Sequence, residues 1–279
     1  MLYRAPAKLN LFLHIIGRRA DGFHNLETVF QLVDLCDTLT ITVRRDGRIV
    51  RDPPPDDPLL AAMPDEDDLT VRAARLLQRE SGTGFGASIH VHKRIPAGGG
   101  LGGGSSDAAT VLLALNQQWG LAYSTERLAQ LGLALGSDVP VFIHGRNAFG
   151  SGRGEVLTPV ALPVRWFLIA QPPVSVSTRE IFNTAELTRD TPPLRIRALP
   201  ADGGHNDCEP VVRALHAQVA ELLDLLAPWG GRLTGTGSCV FTVTSSRAEA
   251  EQMAACLPPW CRWWVASSLG AVPDAAEEA

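Results

Sequence analysis

Six glycines fall within the seven residues from Gly98 to Gly104, interrupted only by Leu101, and the tract opens onto Ser105, Ser106 and a run of apolar residues. Glycine loses more backbone entropy on folding than any other residue, so this tract is costly to order and unsuited to the interior of a strand or helix. It makes sense where the main chain must come close to something with its N–H groups bare. The apolar run from about Ser105 to Gln117 reads as a helix. A helix start presents unpaired N–H groups and the positive end of the dipole. The pairing suits an anion, phosphate above all, and the hydroxyls of Ser105 and Ser106 can bond phosphate oxygens or a Mg²⁺. A flexible linker is the bland alternative, but linkers rarely open straight into an apolar helix. No Gly-Lys-Ser/Thr closes the tract, so it is not a Walker A loop. It also lacks the early strand-turn-helix setting and the downstream acid of a dinucleotide fingerprint.

At 279 residues, 45% hydrophobic, the chain is long enough for two domains with separate cores. Leu9, Leu11, Leu13 and Ile15 alternate with Asn10, Phe12 and His14, which predicts a strand with one apolar face. Asp21-Gly22 signals a turn, Thr38–Val43 a second strand, and the proline run Asp52–Pro58 a surface loop. Asp67 and Asp68 are N-cap candidates for a helix over Leu69–Glu80, closed by Gly82–Gly86. A strand through Ile89 and Val91 leads to the glycine tract, and a helix over Thr125–Leu135 follows it. Past residue 158 the pattern changes. A strand at Trp166–Ala170 is followed by helices at Thr178–Ala185 and Glu209–Leu226. Strands at Arg232–Thr234 and Val240–Val243, a helix at Arg247–Leu257 and a strand at Arg262–Ala266 complete the order. Strand–helices–strand–strand–helix–strand is the split βαβ, or ferredoxin-like, arrangement. The acidic end Asp274–Ala279 is expected to fray.

The formal net charge of -5 gives no long-range attraction to nucleic acid or anionic lipid, so neither is an expected partner. No apolar run approaches the roughly 20 residues that span a bilayer. Five cysteines, an odd number without C-x-x-C spacing, and an opening Met1-Leu2-Tyr3-Arg4 without the pattern of a signal peptide lead to a reduced, cytoplasmic protein. His90 and His92 share a strand face, but no third ligand sits nearby in sequence, and no metal ligand on the protein is assigned.

Pro96-Ala-Gly-Gly-Gly100-Leu101-Gly102-Gly103-Gly104-Ser105-Ser106 resembles the phosphate loop of the galactokinase, homoserine kinase, mevalonate kinase and phosphomevalonate kinase superfamily, with one glycine more than its shortest version. Further blocks follow in order along nearly the whole chain. They are Ala5–Leu11, Arg19–His24, Gly136–Phe142, Asn206–Glu209 and Leu233–Ser238, and together they resemble the 4-diphosphocytidyl-2-C-methyl-D-erythritol kinase family within that superfamily. The resemblance implies an α+β protein of two domains. One is an N-terminal α/β domain like domain 2 of ribosomal protein S5, over residues 1–157; the other is a C-terminal ferredoxin-like βαββαβ domain over 158–279, with the active site in the cleft between them. It also implies ATP with Mg²⁺ as co-substrate, a small cytidine-diphosphate acceptor phosphorylated on its 2-hydroxyl in non-mevalonate isoprenoid synthesis, and a monomer or weak dimer.

Roles follow from the same resemblance. Pro96, Gly98, Gly99, Gly100, Leu101, Gly102, Gly103, Gly104, Ser105 and Ser106 would hold the nucleotide phosphates, with Lys93 and Asp68 at the adenosine. Asn10, Phe23, His24, Phe182, Gly235 and Thr236 would meet the acceptor, the two phenylalanines stacking on its cytosine and His24 bonding the polar edge. Lys8 would sit beside Asp138, the expected base. From the residues alone Asp138 reads equally as a capping aspartate, Lys8 as an exposed strand end, the phenylalanines as core, and Thr234–Ser238 as a hairpin turn. Tyrosine is frequent in the family at position 23, and some relatives carry asparagine at 68 and 107. A homoserine- or mevalonate-type kinase and a non-catalytic nucleotide-binding protein remain the alternatives; an RNA-binding module is disfavoured by the charge.

Overall fold

The computed structural model describes residues 1–52, 64–194 and 203–271. Most of the proline run, from residue 53 onward, and the acidic end lie outside the described residues.

β1 (Leu2–Arg18) and β2 (His24–Arg44) form a long antiparallel pair, reaching well beyond the alternating segments that mark them in the sequence. The single apolar face expected for β1 is corrected. Register shifts between Pro6 and Ala7, Asn10 and Leu13, and Ile15 and Gly17 interrupt the alternation. Asn10, Phe12 and His14 are buried as Leu9 and Ile15 are. β1 runs along one edge of β2; the other edge takes β4 (Gly86–His92) at Thr38–Arg44 and β5 (Ala148–Ser151) at Thr28–Phe30. β3 (Ile49–Arg51) joins β4 in parallel, and β6 (Val156–Pro159) joins β5, to complete a six-stranded sheet.

α1 (Leu69–Ser81), α2 (Gly103–Gln118), α3 (Thr125–Leu133) and α4 (Val139–His144) pack with this sheet, joining Leu39, Ile41, Leu77, Leu112 and Phe142 in one core. The Asp68 carboxylate caps α1, accepting the Thr70 and Val71 N–H groups at 2.8 and 3.4 Å, and Gly82 ends it in the left-handed conformation.

The chain leaves the first sheet at Pro159 and enters the second at Trp166, so the expected boundary after residue 157 falls inside β6. β7 (Trp166–Gln171), β8 (Arg232–Leu233), β9 (Val240–Thr244) and β10 (Arg262–Ser267) lie in the order β10-β7-β9-β8, every pair antiparallel. With α5 (Thr178–Asn183), α6 (Glu209–Leu215), α7 (Ala217–Leu226) and α8 (Arg247–Ala254), this is the ferredoxin-like order. The single helix expected over Glu209–Leu226 is two, broken at His216 (φ -130, ψ 91), where neither glycine nor proline marks the break.

The two sheets do not keep wholly separate cores. Along β7, Leu168 and Ala170 pack with Ile181, Val212 and Leu222 of the helices. Phe167 and Ile169 point the other way and, with Phe241, meet Leu9, Phe12, Val29 and Phe149 of the first sheet. Burying a side chain of this size is worth about 1.5–3 kcal/mol, so this third apolar layer holds the two sheets together. β1 contributes to all three layers: Tyr3 and Ala5 to the first, Leu9 and Phe12 to the shared one, Leu13 and Ile15 to the last.

Candidate active site

The glycine tract divides in two. Gly98, Gly100 and Gly102 have φ of +65, +74 and +71, which an L side chain resists. A Cβ on Gly99 would lie 2.5 Å from Cys239 Sγ, and one on Gly100 would lie 2.2 Å from the Thr234 carbonyl oxygen. The N–H groups of Ser238 and Cys239 donate to the carbonyls of Gly98 and Gly99 at 3.0 and 3.2 Å. The first half of the tract is therefore bare because it presses against the turn between β8 and β9. The second half starts α2. Gly102 stands at the N-cap and no side chain caps the helix, while Gly103, Gly104 and Ser105 line the cavity. These amides stand at the uncapped start of α2, where backbone N–H groups lack intrahelical acceptors. Ser106 does not line the cavity: it is fully buried one position further along, and its hydroxyl has no hydrogen-bond partner.

Lys8 and Asp138 meet over this loop, Nζ to Oδ2 3.2 Å. Asp138 precedes α4, yet its side chain caps nothing there, so the capping reading fails. Lys8 is no exposed strand end either. It is 3% exposed, its backbone N–H bonds the Leu101 carbonyl at 3.0 Å, and its Nζ donates to the Gly100 carbonyl at 2.8 Å and to Asn10 Oδ1. Asn10 is fixed in turn: its backbone N–H reaches Thr234 Oγ1 and its Nδ2 reaches Thr28 Oγ1, each at 2.9 Å. A cation, a carboxylate and a helix mouth thus share one locus.

A cavity of about 1120 Å³ runs from this locus in two directions and takes in every expected site residue except Ser106. One end is walled by aromatic rings. The turn at Asp21-Gly22, with Gly22 at φ +85 and the Phe23 N–H on Asp21 Oδ1 at 3.1 Å, leaves Phe23 48% exposed rather than in a core. His24 is buried and stacks on Phe182 of α5, centroids 5.2 Å apart. Its Nε2 lies 3.2 Å from Arg189 Nε. Burial, then the charges of Arg189 and Arg18, hold its pKa below the ordinary histidine value. A neutral imidazole that accepts at Nε2 carries its proton on Nδ1. Gly235 and Thr236 complete this side; Thr236 Oγ1 shares a 2.9 Å hydrogen bond with Thr178 Oγ1.

At the other end lie Asp68, Lys93 and Asp107. Lys93 Nζ bridges Asp37 and Asp107, the latter at 2.7 Å. Burial pushes the Asp107 carboxyl up to about 7; Lys93 pulls it down and Asp37 adds to the rise. Asp68 spends its oxygens on the α1 cap and on Arg51 Nη1 at 3.4 Å. Sequence reasoning missed Asp37, a fully buried carboxylate in β2, and the cavity-lining Arg18, Arg153 and Arg179. An isolated arginine or aspartate in a mixed stretch carries no spacing signal.

A glycine-lined helix mouth between an α/β layer and a ferredoxin-like layer, with a buried lysine on a carboxylate above it, defines a small-molecule kinase of the GHMP class. The sequence matches the GHMP kinases N terminal domain over residues 68–146 and the GHMP kinases C terminal over residues 195–260. It is 52% identical to the 4-diphosphocytidyl-2-C-methyl-D-erythritol kinase of Ectopseudomonas mendocina over 92% of this chain and 87% of that one. Against the enzyme of that name from Nitrosospira multiformis it is 50% identical over 98% and 94%. The chain belongs to the 4-diphosphocytidyl-2-C-methyl-D-erythritol kinase family. A crystal structure of 4-(cytidine 5'-diphospho)-2C-methyl-D-erythritol kinase superposes with a TM-score of 0.81 at 32% identity, covering 97% of this chain and all of that one.

Proposed function

We propose that the protein transfers the γ-phosphoryl group of ATP to the 2-hydroxyl of 4-diphosphocytidyl-2-C-methyl-D-erythritol, giving the 2-phosphate and ADP. The observation that carries this reading is the Lys8–Asp138 pair, held between the free amides of α2 and a cavity end walled by Phe23, His24 and Phe182. Phosphoryl transfer asks mainly for placement and charge stabilisation. The amides of Gly103, Gly104 and Ser105 cradle the triphosphate. Asp138 takes the acceptor's hydroxyl proton, and Lys8 stabilises the oxygen as it becomes nucleophilic. The proton leaves on the Asp138 carboxyl as the new P–O bond forms and the bond to ADP breaks.

At the acceptor end, Phe23 and Phe182 offer faces to a flat base, and the Nδ1–H of His24 donates to a ring acceptor on its edge. Homoserine and mevalonate have no base to stack. At the nucleotide end, Lys93 and Asp68 form walls whose polar atoms are already engaged. Among the described residues no three His, Cys, Asp or Glu side chains cluster as a metal site. Mg²⁺ would arrive on the nucleotide, with the Ser105 hydroxyl as an oxygen the chain offers it. Such an ion neutralises charge on the phosphate oxygens. Among the described residues no helix is long and apolar enough to cross a membrane.

The test is ADP release with ATP and each of three acceptors: the cytidine compound, homoserine and mevalonate. Turnover confined to the cytidine compound is expected. Turnover with another acceptor instead, or ATP binding without turnover on any, overturns the reading.

A further inference from the structure

Arg153 lies on the turn between β5 and β6, outside every motif read from the sequence. Its guanidinium carbon sits 3.8 Å from the centre of the Phe23 ring. Nη2 donates to Ser137 Oγ at 3.1 Å, one residue before Asp138, and the backbone N–H donates to Glu155 Oε2 at 2.5 Å. Its Nε is buried without a hydrogen-bond partner. Phe23, in contrast, stands nearly half exposed at a turn and belongs to none of the three apolar layers. The arginine is anchored and the ring is not. An exposed phenylalanine without packing neighbours samples several rotamers, and a base that stacks on it must first select one. A guanidinium over one face removes that freedom and leaves the other face for the ligand. A buried Nε without an acceptor is a cost that such stacking offsets.

We propose that Arg153 is a positioning residue. It sets the Phe23 ring as a platform for the acceptor's base, and through Ser137 it ties that platform to the segment carrying Asp138. The inference rests on the proposed kinase reading and deepens it. Arginine is suited to the task because its plane stacks; a lysine in its place keeps the charge but not the plane.

Steady-state kinetics with both substrates varied test this in wild type, Arg153→Met, Arg153→Lys, Phe23→Ala and the double variant Phe23→Ala/Arg153→Met. Both single substitutions at 153 should raise KM for the cytidine substrate roughly five- to thirtyfold and leave KM for ATP unchanged. In the Phe23→Ala background, Arg153→Met should add little, because its effect runs through the ring. Effects that multiply in the double variant would mean that Arg153 touches the acceptor directly, and the proposal fails. An Arg153→Lys enzyme with wild-type KM also overturns it, since charge would then suffice. Should Arg153→Met fold poorly, Arg153→Lys and its combination with Phe23→Ala give the same comparison. A wild-type protein inactive on the cytidine substrate would sink the kinase reading itself, a result distinct from an active wild type matched by its Arg153 variants.

Discussion

Lys8 Nζ lies 3.2 Å from Asp138 Oδ2, and the two partners differ in setting: the lysine side chain is 4% exposed, the aspartate 33%. The cation is fixed by the Gly100 carbonyl and Asn10, while the carboxylate faces the cavity and caps no helix amide. A fixed buried charge beside an accessible base suits proton removal from a ligand. Asp138→Asn and Lys8→Met should therefore each lower kcat roughly 100- to 10,000-fold with ATP binding retained. Lys8→Met should also cost about 1–3 kcal/mol of stability, because it strands the buried Asn10 Oδ1 and the half-buried Gly100 carbonyl. Stopped-assay kinetics and isothermal titration with an ATP analogue check this, and near-normal kcat in either variant refutes the pairing.

Two glycines of the tract should respond in opposite ways. Gly100 combines a φ of +74 with a Cβ position 2.2 Å from backbone oxygen, so Gly100→Ala strains the loop and pushes the turn between β8 and β9 away. A loss of more than about 1–2 kcal/mol of stability is expected in urea titration. At Gly104 the nearest atom to an added Cβ is Leu69 Cδ1 at 3.3 Å, the mobile end of a side chain. Gly104→Ala should leave stability unchanged or raise it by about 0.4–1 kcal/mol. If the start of α2 receives phosphate, that methyl group should still raise KM for ATP. Unchanged ATP kinetics in a stable Gly104→Ala enzyme would remove the phosphate from this place.

The ferredoxin-like half was legible because each strand is set off from the next by a turn or by helices whose own pattern shows, so the order of elements pointed to the arrangement. β1 was legible only in part. Its alternation at Leu9–Ile15 marked a strand, but the register shifts that bury both faces leave no trace in local pattern. The glycine tract announced a backbone that approaches something closely, yet half of that approach is to Thr234 and Cys239, more than 130 residues away, a contact that only tertiary structure reveals. Lys8 and Asp138 carried no local signal of their pairing. Family resemblance brought them together, and the structure supplies the distance.

Lys93 serves two buried carboxyl groups, Asp37 and Asp107, so one cation answers two acids held out of water. The two acids are not equivalent. Asp37 Oδ1 also accepts the N–H groups of Arg94 and Ile95, the latter at 2.8 Å, where the chain enters the glycine tract. Asp107 Oδ1 has no partner. Asp37→Asn should therefore cost about 3–5 kcal/mol, the usual loss on breaking a buried pair, whereas Asp107→Asn should be close to neutral. The sign with pH follows. Asp107 is raised from 3.8 to about 7, so its contribution to stability is fully present below about pH 4 and is lost as pH rises through 7. Asp107→Asn should flatten that decline in urea midpoints measured across the range, and an unaltered pH profile in the variant would contradict the assignment.

His24 gives the opposite sign. Its pKa is held below 6.5 by burial and by Arg189 and Arg18, so the folded protein keeps it neutral while the unfolded chain takes up a proton. Its stability contribution is present above 6.5 and is lost as pH falls through the depressed folded value. Protonation would also turn Nε2 from an acceptor into a donor facing the Arg189 guanidinium, 3.2 Å away, and loosen the ring stacked on Phe182. KM for the cytidine substrate should accordingly stay flat through neutrality and climb only on the acid side of 6.5, with KM for ATP unmoved. His144 shares the depressed direction, so the control is His24→Gln, which should start with a higher KM and show no such climb. A wild-type KM that rises already above neutrality, or a His24→Gln enzyme that keeps the acid limb, would show that the base edge is read by some other group.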